Sequence, residues 1–133
     1  MYTHETTVRL RDTDAAGVIF FSRQFTMAHD AFEHYLDSAE MGLGQLFRHA
    51  DYRIPIVHAS ADYSAPIRVG DRLRIEIRSE RIGSTSFTLT YRLVNQHEIE
   101  VGRVRTVQVA VDRDAWKKRP IPAELRAALE KLK

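Results

Sequence analysis

The chain predicts an α+β domain in which one long central helix is wrapped by a five-stranded antiparallel sheet. Two observations carry that prediction. From Phe21 to about Met41 apolar residues recur at three- and four-residue steps with no Gly or Pro among them, the pattern of a helix with one broad buried face. From residue 53 onward the pattern changes to two-residue alternation in four successive stretches, the mark of half-buried strands. With a short alternating stretch ahead of the helix, the order is strand, long helix, four strands and a closing helix. No repeat, low-complexity segment or linker divides the 133 residues, so 1–133 is expected to be one domain, large enough to bury a core.

Each element has its own signal. Residues 5 to 11 alternate polar and β-branched or apolar residues and predict a short strand. The helix buries Phe21, Phe25, Ala28, Phe32, Tyr35, Leu36 and Ala39; Ser22 is its expected N-cap, and Gly42 with Gly44 its expected left-handed end. About twenty residues of helix span roughly 30 Å. A shorter helix is expected from Leu43 to Ala50. The first long strand runs from about Arg53 to Ser64, with Val57, Ala59, Ala61 and Tyr63 alternating with His58, Ser60, Asp62 and Ser64, and Pro66 closes it. Next, Leu73, Ile75 and Ile77 alternate with charged residues up to a turn at Gly83-Ser84; Phe87, Leu89, Tyr91 and Leu93 then face inward as far as the loop 95–98. In the last strand, 99–112, Arg103 and Arg105 fall in phase with Ile99 and Val107, which predicts a bulge at Gly102. Leu125, Leu129 and Leu132 predict a terminal amphipathic helix from Pro122.

Composition narrows the function classes. Hydrophobic residues make up 44% and charged residues 29%, as in a globular domain, and no apolar run approaches the length of a membrane span. Absence of cysteine removes disulfides, thiol nucleophiles and thiolate metal sites together. The N-terminus turns polar at once, without the apolar core of a signal peptide, so a cytoplasmic location is expected. Lys and Arg exceed Asp and Glu by 20 to 18, and the arginines alternate along strands rather than forming a block; nucleic acid is not an expected partner. His29 and His34 lie five residues apart on different helix faces with no carboxylate cluster, so no metal site and no cofactor are expected.

The chemistry concentrates in Asp12-Thr13-Asp14-Ala15-Ala16-Gly17-Val18-Ile19-Phe20-Phe21, where two carboxylates and a glycine lead into the helix. A helix start offers unpaired N–H groups and the positive end of a dipole, which can polarise a carbonyl. A carboxylate beside it is an acid, base or nucleophile next to an oxyanion site. Taken alone, both aspartates also fit Asx turns that complement the helix dipole.

The strand, loop and helix order around Asp-Thr-Asp-Ala-Ala-Gly-Val-Ile-Phe resembles the hotdog-fold 4-hydroxybenzoyl-CoA thioesterase family, over residues 5 to about 122. Ile54-Pro55-Ile56-Val57-His58-Ala59-Ser60, with Asp62, Tyr63, Ala65 and Pro66, resembles the subgroup of that family acting on 1,4-dihydroxy-2-naphthoyl-CoA in phylloquinone and menaquinone synthesis. The resemblance implies a hydrolase of an aromatic acyl-CoA, with Asp14 as the catalytic carboxylate and the backbone N–H of Phe21 as the oxyanion contact, Asp12 remaining a turn former. Family members often carry tyrosine near that position; Phe20 and Phe21 leave only a backbone role here. Glu33 and Glu40, in the helix where a related hotdog group places its acid, stand in no matching motif.

The same resemblance implies sites shared between two subunits of a homodimer, assembling into a homotetramer. Gly17, which lets the loop turn, is a substrate-binding candidate together with His29, Val57 and His58, the last three for the acyl pocket. Where family members carry a basic patch for the nucleotide, this chain has Gly83-Ser84-Thr85, so Arg81, Ser84 and Thr85 are joined by Lys117, Lys118 and Arg119 as CoA-binding candidates. Trp116 beside them reads as a packed strand-end residue or a platform for adenine. Asp14 can attack the thioester directly or activate water, and sequence leaves both open. The alternatives are a broad-range or aliphatic acyl-CoA thioesterase, a non-catalytic acyl-CoA-binding domain, and a dehydratase pairing His29 or His58 with Asp14.

Overall fold

The computed structural model describes residues 1–133. β1 (Tyr2–Thr7) leads through a 3-10 turn (Leu10–Asp12) and a loop to α1 (Arg23–Ser38), followed by α2 (Leu43–His49). β2 (Tyr52–Arg53), β3 (Ile56–Tyr63), β4 (Arg72–Ile82), β5 (Ser86–Val94), β6 (Glu100–Val109), β7 (Val111–Asp112) and α3 (Ala123–Glu130) complete it. The main sheet has the order β1-β4-β5-β6-β3, every neighbour antiparallel. The expected five-stranded sheet wrapped around one long helix is the architecture found.

The core follows the alternation. Leu73, Ile75 and Ile77 from β4, and Phe87, Leu89, Tyr91 and Leu93 from β5, are all buried against Met27, Ala28, Ala31, Phe32, Tyr35 and Leu36 of α1. Leu125, Leu129 and Leu132 close one end, where the Tyr35 hydroxyl donates to the Ala128 carbonyl and Ser79 Oγ to that of Leu129. The outer sheet face carries the charge: Arg74, Arg92, Arg103 and Arg105 pair with Glu76, Glu98, Glu100 and Glu80, so these four arginines are neutralised locally.

Several boundaries differ from expectation. β1 lies at 2–7 rather than 5–11, because the chain must turn at Leu10–Asp12 to set up the loop. α1 begins at Arg23, so Phe21 precedes the helix and is 62% exposed instead of joining the buried face. Ser22 is already in helical conformation and makes no side-chain cap. The helix ends not at a glycine but at Glu40, which takes φ 60° while the Met41 N–H returns to the Leu36 carbonyl and the Glu40 N–H to that of Asp37. This is the double bond of a left-handed cap, and it lets Met41 pack against the core; Gly42 is extended and opens α2.

The stretch 53–64 is not one strand. Pro55 interrupts it, and β2 pairs with β7 in a separate two-stranded sheet. β3 is an edge strand, and of its residues only Ala61 is partly buried. Val57 lies between Ile56, opposite Gln108, and His58, opposite Val107; it is the extra residue of a bulge and 62% exposed, not inward-facing. The expected bulge in β6 falls at Val101, next to Gly102, where Leu93 and Val94 pair with Gly102 and Glu100. Trp116 is 57% exposed with φ 56°, not packed at a strand end.

Candidate active site

Two carboxylates of the loop take opposite parts. Asp12 is buried, accepting from the Arg9 N–H at 2.8 Å and from Arg23 Nε and Nη2 at 3.0 and 2.6 Å. Burial pushes its carboxyl up, but the Arg9 N–H and the Arg23 guanidinium outweigh that and hold it below the ordinary range. Asp12 therefore clamps β1's exit to the first turn of α1 through Arg9 and Arg23, whereas the Asx turn expected of the aspartates is made by Asp14, whose Oδ1 accepts the Ala16 N–H.

Asp14 sits on the exposed part of the same hairpin. Thr13 bridges Ile19, the Asp14 N–H donates to the Val18 carbonyl, and Gly17, at φ 80°, closes the tip. Nothing lies within 4 Å of where a Gly17 Cβ would stand, so backbone conformation alone asks for glycine there. One Asp14 oxygen, Oδ1, accepts the Ala16 N–H at 2.8 Å, and no basic side chain pairs with the carboxylate. It lies in the open, placed where a nucleophile or base can act.

The backbone after the loop is pinned from both sides. The Phe20 N–H donates to the Asp12 carbonyl and the Arg23 N–H to the Phe20 carbonyl. The Tyr63 hydroxyl, from the end of β3, donates to the Phe21 carbonyl. The N–H groups of Phe21 and Ser22 have no acceptor within the chain. Fixed carbonyls on either side leave these two donors presented at the positive end of α1.

Gln24, fully buried in the first turn of α1, ties that turn to the sheet: its Nε2 donates to the carbonyls of Asp62 and Arg103 at 2.9 and 3.2 Å. Gly102 makes room for it, since a Cβ there would come within 2.6 Å of the amide. Neither Tyr63 nor Gln24 carried a sequence signal as a site residue. A glutamine inside a helix and a tyrosine in an alternating strand look like ordinary packing.

The other candidates fall into separate places. His29 lies on α1 with Nδ1 3.3 Å from Glu33 and borders a cavity of about 210 Å³, together with Phe32, Leu46, Phe47, Gln108 and Trp116. Val57 and His58 are exposed on the edge strand, and His58 shares the outer sheet face with its register partner Val107; within one chain neither reaches the Asp14 loop. Arg81, Ser84 and Thr85 stand at the opposite end of the sheet from that loop. There the Ile121 N–H bonds the Ser84 carbonyl, the Ala110 N–H that of Thr85 and the Arg119 N–H that of Ala110, which joins both halves of the expected CoA-binding group. Lys117 and Lys118 are exposed and unpaired, whereas Arg119 pairs with Asp51 at 2.9 Å and lies over Tyr52. His34 stacks on His4 with ring centroids 4.1 Å apart.

Comparison with known proteins fits this geometry. Residues 8–129 match the thioesterase-like superfamily. The chain is 36% identical over 129 residues to a 1,4-dihydroxy-2-naphthoyl-CoA hydrolase of Nostoc punctiforme, covering 97% of this chain and 86% of that one. It is 32% identical to the crystal structure of a 1,4-dihydroxy-2-naphthoyl-CoA thioesterase from Synechocystis, with a TM-score of 0.92 and coverage of 98% and 96%. A gentisyl-coenzyme A thioesterase at 23% identity and a TM-score of 0.86 shares the fold.

Proposed function

Because the chain belongs to the thioesterase-like superfamily, we propose that it hydrolyses 1,4-dihydroxy-2-naphthoyl-CoA to the free acid and CoA, a step of phylloquinone or menaquinone synthesis. The observation that carries this reading is the unpaired Asp14 carboxylate in the hairpin that leads to the acceptor-free Phe21 N–H. The similarity to hydrolases of that substrate in Nostoc punctiforme and Synechocystis supports it. The enzyme is a thioester hydrolase, and in this reading it works in the cytoplasm. No helix is long and apolar enough to cross a membrane.

In this reading the thioester carbonyl oxygen takes the Phe21 N–H, so charge developing on it meets a fixed donor and the α1 dipole. Asp14 either attacks the carbonyl carbon, expelling CoA thiolate and leaving a mixed anhydride that water opens, or removes a proton from the attacking water. Tyr63 holds the adjoining peptide so that the donors do not have to reorganise during the reaction.

The working unit is a homodimer that pairs further into a tetramer. The open edge of β3 with exposed Ile56, Val57 and Tyr63, beside Phe20 and Phe21, is the kind of edge that association covers. Two-fold pairing of β3 edges brings the far end of one sheet, with Lys117, Lys118, Arg81, Ser84 and Thr85, toward the Asp14 loop of the other protomer. CoA then reaches from those residues to the thioester, and Val57 and His58 sit at the junction beside the acyl group. Thiol release from 1,4-dihydroxy-2-naphthoyl-CoA, 4-hydroxybenzoyl-CoA and aliphatic acyl-CoAs tests the assignment; preference for an aliphatic chain overturns it. Light scattering on the intact protein tests the assembly, and a monomer at active concentrations defeats it.

A further inference from the structure

Gln24 keeps an amide where an apolar side chain would suffice for packing. It is fully buried in the first turn of α1, three residues after Phe21, and its Nε2 directs both hydrogens to strand carbonyls, that of Asp62 at 2.9 Å and that of Arg103 at 3.2 Å. Asp62 and Arg103 face each other across β3 and β6, so one amide holds both strands to the helix. The other amide atom, Oε1, has no hydrogen-bond partner, and a buried acceptor left unpaired is destabilising. Gln24 also needs a glycine opposite it, because a Cβ on Gly102 would lie 2.6 Å from both amide heteroatoms. A leucine or methionine would fill the space without leaving an acceptor unanswered. Packing therefore does not account for the amide; its two donated bonds do.

We propose that Gln24 is a positioning residue of the hydrolytic site, holding Tyr63 and the Phe21 N–H in register with each other. The proposal rests on the thioesterase reading. Asp62 immediately precedes Tyr63, whose hydroxyl donates back to the Phe21 carbonyl. The start of α1 thus gives one hydrogen bond to the end of β3 and receives one from it, between residues 21–24 on one side and 62–63 on the other. Two bonds running in opposite directions fix two segments against each other, where either alone leaves a pivot. Tyr63 ends an edge strand and is 47% exposed, so its own surroundings only half enclose it; Gln24 is the buried anchor next to it. An oxyanion donor serves only if it is fixed before charge develops, and a misplacement on the order of 1 Å loses about a hundredfold in rate.

The test is a cycle of variants in the intact protein, read by thiol release from 1,4-dihydroxy-2-naphthoyl-CoA and by the NMR order parameter of the Phe21 amide. Gln24→Met keeps the length of the side chain and removes its donors. It should lower kcat about fivefold, the scale of one ordinary hydrogen bond, with KM within about twofold. The Phe21 amide should loosen from the ~0.85 of rigid backbone. Because Gln24 acts through Tyr63, the two losses overlap: on a Tyr63→Phe background Gln24→Met should add less than about twofold, whereas independent sites would multiply to about twenty-fivefold. Gly102→Ala should reproduce the loss by displacing the amide. Gln24→Ala combined with Gly102→Ala, whose methyl enters the space the amide leaves, should recover the urea midpoint but not kcat, and this pair carries the measurement where Gln24→Met does not fold. Wild-type kcat in Gln24→Met, a multiplicative loss with Tyr63→Phe, or kcat that returns with the midpoint in the pair overturns the proposal. A Phe21 amide that loosens in Gln24→Met while the wild-type protein releases no thiol defeats the thioesterase reading and leaves the positioning of the Phe21 peptide standing.

Discussion

Asp12 and Asp14 stand two residues apart with opposite surroundings. Asp12 is enclosed and answered by Arg9 and Arg23; Asp14 is exposed, with one oxygen on a single backbone N–H. One carboxylate holds the hairpin to the helix while the other is left free to react. The difference teaches that two like residues of a single motif are committed to an ion pair or left without one by what each faces.

The sharpest way to break the comparison is to remove each charge in turn. Asp14→Asn should lower kcat/KM at least about a hundredfold, the scale of a lost catalytic acid, base or nucleophile, while the urea midpoint stays in place. Near-normal turnover would end the catalytic reading of Asp14. Asp12→Asn should do the reverse in kind, lowering unfolding free energy by about 2 kcal/mol because Arg23 loses its buried anion. Acid unfolding sharpens this: the native Asp12 carboxyl lies below its unfolded value of 3.8, so its contribution is complete above that pH. It is lost as pH falls below 3.8 through the depressed native value, and a variant with the same acid limb as wild type would contradict the clamp.

Smaller changes probe the two supports of the reactive arm. Tyr63→Phe removes the bond to the Phe21 carbonyl and should reduce kcat about fivefold, the equivalent of one ordinary hydrogen bond, with KM unchanged. A KM effect alone would make Tyr63 a binding residue instead. Gly17→Ala meets no steric obstacle but forces a side chain into the left-handed region, at a cost of about 1 kcal/mol in thermal or urea unfolding. An unchanged midpoint would show that the loop tip relaxes.

Much of the architecture was legible because it depends on period. Strand alternation put Leu73, Ile75, Ile77, Phe87, Leu89, Tyr91 and Leu93 in the core, and three- and four-residue steps did the same for Ala28, Phe32, Tyr35 and Leu36. Elements that failed to follow their pattern did so for reasons of neighbourhood. The stretch 53–64 alternates as a buried strand does, yet β3 has a partner on one side only and a bulge at Val57. Glu40 rather than Gly42 takes the left-handed cap, because Met41 gains the core and its N–H the Leu36 carbonyl.

By itself the sequence determined the fold class, the inward faces of the helix and of the central strands, and the loop in which the candidate carboxylate lies. Those follow from side-chain periodicity and local turn chemistry, which act between residues close in the chain. Only the tertiary structure decided that Asp12 is enclosed by Arg23, that Tyr63 holds the peptide after Phe21, and that Gln24 needs the space at Gly102. Each joins residues from different elements, and such pairings exist only once packing has fixed which surfaces meet.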